Sequence, residues 1–218
     1  MSAAVLAGCR LYGILDLGYV AAADVDKVAA QLIAGGVDII QLRAKTIDAG
    51  EIARIGGDLH SQTSEARLPL VINDYPEIAR AVGAEGVHVG QDDLSVERAS
   101  EIAGPDCFIG KSTHSLEQAK RAVTEGADYI GFGPLFSTPT KPNYTAIGLS
   151  DVEAVHAAVS IPIFCIGGIK VENLAAVLAA GAQRVVIVSG LLQASDIAQY
   201  ARSAKQLLNR DSKIENRN

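Results

Sequence analysis

The chain has no tryptophan and a single methionine, and aromatic residues fill only 5% of its 218 positions. A core of any size is therefore expected from Val, Ile, Leu and Ala, the usual filling of parallel α/β barrels. Cysteine is scarce as well. Cys9, Cys107 and Cys165 show no CxxC spacing and cannot all pair, so they read as reduced, mostly buried thiols rather than a disulfide framework or a zinc site. No apolar run approaches the roughly 20 residues of a membrane span. Residues 1–8 lack the basic start and long apolar stretch of a secretory signal, so the expected setting is cytoplasmic. A basic face is missing too: 19 Lys and Arg stand against 25 Asp and Glu, a net charge of −6. That balance argues against nucleic acid as the main partner. It leaves room for small phosphorylated ligands, which need only a few local cations.

What is present is alternation. Short β-branched runs at 11–16, 39–43, 70–73, 86–89, 108–112, 129–131, 162–166 and 184–188 alternate with helical patterns, among them 24–34, 48–64, 115–124 and 173–180. Strands of this length separated by helices predict βαβ units, and eight of them predict a closed α/β (β/α)8 TIM barrel over residues 1–218; an open doubly wound sheet is the alternative. A weak repeat supports closure. Gly-Val-Asp-Ile-Ile at 36–40, Gly-Ala-Glu-Gly-Val at 83–87, Gly-Ala-Asp-Tyr-Ile at 126–130 and Gly-Ala-Gln-Arg-Val at 181–185 precede strands two, four, six and eight. In each, a glycine ends a helix, a polar residue turns the chain and a buried strand begins. No linker or low-complexity segment divides the chain, and the polar tail from 211 is expected to fray. The longest candidate loop, 133–148, carries Pro134, Pro139 and Pro142; a loop of that length in a compact barrel is usually functional.

Chemistry in a barrel sits where strands end. Strand two ends in Gln41-Leu42-Arg43-Ala44-Lys45, and alternation puts Gln41, Arg43 and Lys45 on one side, a grip for an anion or else a solvated cluster. Strands three and four end in Asn73-Asp74 and Gly90-Gln91-Asp92-Asp93. Carboxylates from adjacent loops beside two cations suggest Mg²⁺ shared with a diphosphate. The plainer alternative for Asp74 is the N-cap of a helix near Pro76. Strand five delivers Ser112, with Ser115 as the N-cap of the next helix. Strand six runs through Gly131-Phe132-Gly133-Pro134 into a lid carrying Thr138, Thr140 and Lys141. Strands seven and eight end in Gly167-Gly168 and Val188-Ser189-Gly190, where backbone amides can meet a phosphate. His88 lies inside strand four, a place more often packed than catalytic. His60, His114 and His156 suggest no role.

In this order the segments resemble the thiamine-phosphate synthase family, over nearly the whole chain. The motifs that carry the resemblance are Gln41-Leu-Arg-Ala-Lys45, Ile72-Asn-Asp74, Gly86-Val-His-Val-Gly-Gln-Asp-Asp93, Ser112-Thr-His-Ser115, Gly131-Phe-Gly-Pro134, Thr138-Pro-Thr-Lys141 and Ile166-Gly-Gly-Ile169. The resemblance implies a transferase of thiamine biosynthesis that joins a pyrimidine diphosphate to a thiazole phosphate. Gln41, Arg43, Lys45 and Asn73 would hold the diphosphate substrate, with His88 near the pyrimidine. Asp74 and Asp93, rather than Asp92, would bind Mg²⁺. Ser112 and Lys141 would contact the leaving diphosphate. Thr138, Thr140, Gly168, Val188 and Ser189 would hold the thiazole phosphate. The catalytic set so implied is Arg43, Lys45, Ser112 and Lys141. Partners are expected to be phosphorylated small molecules, with neither nucleic acid nor membrane, and assembly into a homo-oligomer stays open. Two places depart from the family pattern: Leu15 stands where a Thr is common before the acid Asp16, and Pro142-Asn143-Tyr144 alters the lid. The rival readings are a thiazole tautomerase-like barrel, which lacks the diphosphate and metal residues, a non-catalytic barrel that binds thiazole phosphate, and an isomerase of tryptophan or histidine biosynthesis.

Overall fold

The computed structural model describes residues 3–138 and 145–215, with side chains placed from residue 5 to residue 210 outside that gap. Eight parallel strands form a closed ring in chain order: β1 (Leu11–Asp16), β2 (Ile39–Arg43), β3 (Leu70–Asn73), β4 (Gly86–Val89), β5 (Phe108–Thr113), β6 (Tyr129–Phe132), β7 (Ile163–Cys165) and β8 (Val185–Ile187). β8 closes on β1 with Leu11 opposite Val185 and Tyr12 opposite Val186. The expected barrel is therefore present, and the open sheet is not. Strands seven and eight are shorter than expected. Val188 leaves the extended region (φ −114°, ψ −89°) because it is the N-cap of a short helix.

The helices are α1 (Val25–Gly35), α2 (Ala49–Glu65), α3 (Pro76–Val82), α4 (Val96–Ala103), α5 (Leu116–Thr124), α6 (Val152–Ala158), α7 (Val171–Ala179), α8 (Ser189–Leu192) and α9 (Ile197–Glu215). Their starts are set by local chemistry. The side chains of Asp48, Ser95 and Ser115 accept the backbone N–H of Glu51, Arg98 and Gln118, satisfying donors that the first helical turn leaves open. Among the described residues no helix is long and apolar enough to cross a membrane.

The repeat has a physical meaning. Its four glycines, Gly36, Gly83, Gly126 and Gly181, all take positive φ, as a left-handed helix exit requires. The acid two residues later reaches back to the strand before it. Asp38 Oδ2 accepts the N–H groups of Arg10 and Leu11 at 2.8 and 2.9 Å. Glu85 Oε2 accepts that of Leu70 at 2.8 Å, and Asp128 Oδ2 that of Ile109 at 2.7 Å. Each such bond engages a charged acceptor with an N–H at the start of an odd strand, and such bonds are the stronger kind. The fourth copy carries Gln183, which has no carboxylate to offer.

Two cores result. The buried layer between strands and helices is aliphatic, as expected from the composition, apart from Cys165 and Phe132. The inside of the ring is not: Tyr12, Phe108, Tyr129 and Phe164 fill it, with Leu6 and Cys9 of the N-terminal turn at the bottom. Four of the chain's ten Tyr and Phe residues thus meet in one place. Their rings meet edge to face, Tyr12 and Phe164 at 5.4 Å and Tyr129 and Phe164 at 5.6 Å, an arrangement that adds to area burial. Room for them comes from glycines on adjoining strands. A Cβ on Gly86 would lie 2.2 Å from the Phe108 ring, and one on Gly110 would lie 2.1 Å from the Tyr129 ring. Gly110 pairs with both His88 and Tyr129, so its bareness also lets those two side chains meet across β5.

Gly110→Ala is accordingly expected to displace the Tyr129 ring and lower stability by about 1–3 kcal/mol, the usual range for overpacking. Urea unfolding measures this; an unchanged midpoint would show that the ring has space to move.

Candidate active site

The C-terminal ends of the strands open into one cleft, and alternation along each strand decides what enters it. Gln41, Arg43 and Lys45 all face it from β2 and its loop, as expected from their spacing. Asn73 and Asp74 follow from β3, His88 and Asp93 from β4 and its loop, Ser112 from β5, and Thr138 from the loop after β6. Gly168, Val188 and Ser189 complete the far wall. The structure therefore brings together every sequence-predicted site residue among those it describes. Thr140 and Lys141 lie outside the described residues.

The cationic wall is already paired. Arg43 Nη1 lies 2.5 Å from Asp16 Oδ2, whose side chain is only 3% exposed. Asp16 also accepts the Gly18 N–H at 2.9 Å. This pair aims the guanidinium and leaves its other donors for a ligand. Lys45 contacts the Asp74 carboxylate. Asp74 sits in the left-handed region (φ 69°) with its N–H on the His88 carbonyl at 2.9 Å. It is not the N-cap of α3: the helix starts at Pro76, two residues later, with Tyr75 at the N-cap and no side-chain bond there.

Burial pushes the Asp74 carboxyl above the usual carboxylate range, and the neighbouring Asp93 pushes it further, against the pull of Lys45. Asp93 Oδ2 accepts the Gly90 N–H at 2.7 Å, while Asp92 does not line the cleft. Two hard carboxylates that repel one another fit a divalent cation such as Mg²⁺. Mg²⁺ commonly takes one or two protein carboxylates and completes its shell with water and phosphate oxygens. Among the described residues no group of three His, Cys, Asp or Glu side chains forms a candidate metal cluster.

Several participants were not expected from the sequence. Lys111 points away from the cleft into a buried position and donates to the Gly90 carbonyl at 2.8 Å; burial lowers its pKa. Gln91 Nε2 donates to the Ser112 carbonyl at 2.6 Å, and Arg121 donates to Gln91 Oε1 at 2.8 Å. Together these bonds tie the loop bearing Asp93 to β5. His114 lines the cleft, with Nδ1 on the Gly133 carbonyl. His60 stands outside the cleft against Glu85, and His156, on α6, has its pKa lowered by burial. The glycines of the far wall permit close packing: a Cβ on Gly167 would lie 2.3 Å from Pro134, and one on Gly168 would lie 2.7 Å from Phe136. Leu135 and Phe136 donate to the Ile166 and Gly167 carbonyls at 2.8 and 3.0 Å, so the loops after β6 and β7 form one body.

Fold and cleft define a class, the (β/α)8 barrel enzyme with its site at the C-terminal ends of the strands. Within that class the chain belongs to the thiamine monophosphate synthase family, whose model matches residues 11–191. It is 40% identical over 209 residues to the thiamine-phosphate synthase of Chloroflexus aurantiacus, covering 95% of this chain and 96% of the relative. It is 42% identical over 178 residues to that of Thermus thermophilus, covering 81% and 85%. The thiamine phosphate pyrophosphorylase structure from Pyrococcus furiosus superposes with a TM-score of 0.85 at 32% identity, covering 93% of this chain and 96% of that one. 3-Hexulose-6-phosphate synthase, at 17% identity and a TM-score of 0.70, shares the fold alone.

The raised Asp74 carboxyl carries a sign. Its folded pKa lies above the unfolded value, so the ionised group opposes folding at neutral pH, and that penalty disappears as pH falls through the raised pKa. Asp74→Asn also suits the left-handed backbone. The variant is expected to be at least as stable as the parent at pH 7, with its advantage shrinking in acid. Thermal unfolding at both pH values checks this, and a loss of stability at pH 7 would contradict it.

Proposed function

We propose that this barrel joins 4-amino-2-methyl-5-hydroxymethylpyrimidine diphosphate to 4-methyl-5-(2-phosphoethyl)thiazole, or to its carboxylated form, giving thiamine phosphate and diphosphate. Family membership makes the chain a transferase of this kind. The observation that carries the assignment of individual residues is their convergence: Arg43, Lys45, Asp74, Asp93 and Ser112, from four successive strands and their loops, face one cleft. A thiazole tautomerase-like or purely binding barrel would have no use for that set.

The reaction breaks the bond between the pyrimidine methylene carbon and the diphosphate oxygen, and the electron pair leaves with diphosphate. The thiazole nitrogen lone pair then forms the new C–N bond. The 4-amino group can spread the positive charge on the pyrimidine, so a dissociative path requires no protein nucleophile or base. What the protein must supply is stabilisation of the departing charge and alignment of the two halves. Arg43, Lys45, Ser112 and Lys141 take the first role, with Gln41, Asn73 and His88 holding the pyrimidine diphosphate. Thr138, Thr140, Gly168, Val188 and Ser189 hold the thiazole phosphate, beside the short helix α8 where such barrels often bind phosphate. Asp74 and Asp93 would hold Mg²⁺, which when bound supplies charge neutralisation to the diphosphate. The same reading puts the enzyme in the cytoplasm, acting on small phosphorylated molecules and not on nucleic acid or membrane.

The decisive assay mixes purified protein, both phosphorylated halves and Mg²⁺, and measures thiamine phosphate. Product is expected, and chelation of the metal should abolish it. No product from folded protein beside an active control would overturn the assignment. Asp93→Ala and Lys141→Ala are expected to lower turnover by about 100-fold, the scale of a lost charge-stabilising group, with thermal midpoints near that of the parent. Parental turnover in both variants would place the chemistry elsewhere.

A further inference from the structure

Beneath the cleft, five polar side chains form an unbroken row of hydrogen bonds. Gln41 Nε2 donates to the Tyr12 hydroxyl at 2.7 Å. The Tyr12 and Tyr129 hydroxyls lie 3.0 Å apart. Tyr129 Oη is 3.0 Å from His88 Nδ1, and His88 Nε2 is 2.9 Å from Ser112 Oγ. β1, β2, β4, β5 and β6 each supply one member. Tyr12 and Tyr129 are 1% and 0% exposed, so neither can give its hydroxyl hydrogen to bulk water, and each must give it to a neighbour in the row.

These contacts fix a direction. Tyr12 accepts from Gln41, so its own hydrogen goes to Tyr129. Tyr129 accepts that hydrogen and gives its own to His88 Nδ1. His88 is then neutral, with its proton on Nε2, and donates to Ser112. Ser112 Oγ is left with a hydrogen to give, and Ser112 lines the cleft. The reverse order would require the carboxamide oxygen of Gln41 at Tyr12, and it would use the Ser112 hydrogen on His88. Burial holds both phenols above their ordinary range, so both stay protonated donors at neutral pH.

We propose that Gln41, Tyr12, Tyr129 and His88 turn Ser112 into a standing hydrogen-bond donor aimed at a phosphate oxygen in the cleft, with Tyr12 and Tyr129 as positioning residues acting through it. A donor held in place before the ligand arrives costs no reorganisation when negative charge develops. A serine free to rotate could meet the same oxygen with a lone pair. The identity of that oxygen, on the departing diphosphate, rests on the reaction proposed above. The direction of the row does not.

The first test needs no substrate. Histidine-labelled ¹⁵N protein, with His88 assigned by loss of its signals in His88→Gln, reports the tautomer directly. The expected result at pH 7 is an unprotonated Nδ1 and a protonated Nε2, shifting in Tyr129→Phe to a mixture of both forms. A His88 protonated on Nδ1 in the parent protein overturns the proposal. Phenylalanine keeps the ring contacts with Phe108 and Phe164, so the variant should fold. The second test is kinetic. Tyr129→Phe is expected to lower kcat/KM for the pyrimidine diphosphate by about tenfold, the scale of one hydrogen bond to a charged group. In a Ser112→Ala background most of that loss should vanish, and losses that multiply in full would refute action through Ser112. If the parent makes no thiamine phosphate, the reaction assignment fails, while the tautomer still decides the direction of the row.

Discussion

An eight-stranded ring is narrow, and a bare position on a neighbouring strand makes room for a large side chain on its inner face. Gly86 beside Phe108 and Gly110 beside Tyr129 are where this barrel meets that constraint. The consequences run upward. The rings plug the barrel, so the cleft has a floor. Tyr12 and Tyr129 place hydroxyls among the polar side chains at that floor, within 3.0 Å of each other. His88, an inward residue on β4, finds a partner on β6 because β5 is bare between them. The polar row under the site is thus a product of packing, and a single added methyl at Gly110 would act on stability and on site geometry together.

The walls of the cleft follow a second rule, in which a charge is seldom left alone. Arg43 is held by Asp16, Lys45 by Asp74, and the Asp93 carboxylate by the Gly90 N–H. Residues that never touch the cleft then set its shape. Lys111 holds the other end of the Gly90 peptide, and Gln91 is fixed between Ser112 and Arg121. Such supporting contacts keep a site within the small tolerance that alignment of two reactants demands.

Much of this was legible in the amino-acid order. Strand positions showed as β-branched runs, and side-chain period along β2 was enough to place Gln41, Arg43 and Lys45 together. The strand-end rule of barrels found much of the rest, but the place of His88 and the choice of Asp93 over Asp92 came from the family resemblance, and His114 was given no role although it lines the cleft. Other features were hidden, for physical reasons. Asp16 pairs with Arg43 only once β1 and β2 align with those residues opposite, and that register is a property of two segments. The aromatic interior was missed because composition counts residues without saying where they collect. Lys111 drew no role from its place in the sequence, since its partner, the Gly90 carbonyl, lies on another loop and meets it only once β4 and β5 pair. Val188 read as strand because its side chain is β-branched, whereas its backbone turns to begin α8.

The acid repeat leaves one consequence. Three carboxylates fasten the first, third and fifth strands at their starts, and the fourth copy offers Gln183 instead. The odd strand without such an acid is β7, three residues long and registered to β8 through the pair Cys165 and Val185. A closed ring has no edges, but this one has a seam, and it lies directly below the loops of the far wall. Native-state breathing should begin there, loosening the glycine-lined wall while the opposite wall, which carries Asp74 at the end of the fastened β3, keeps its form. The barrel would then flex about one side, as a clasp does, rather than swell evenly.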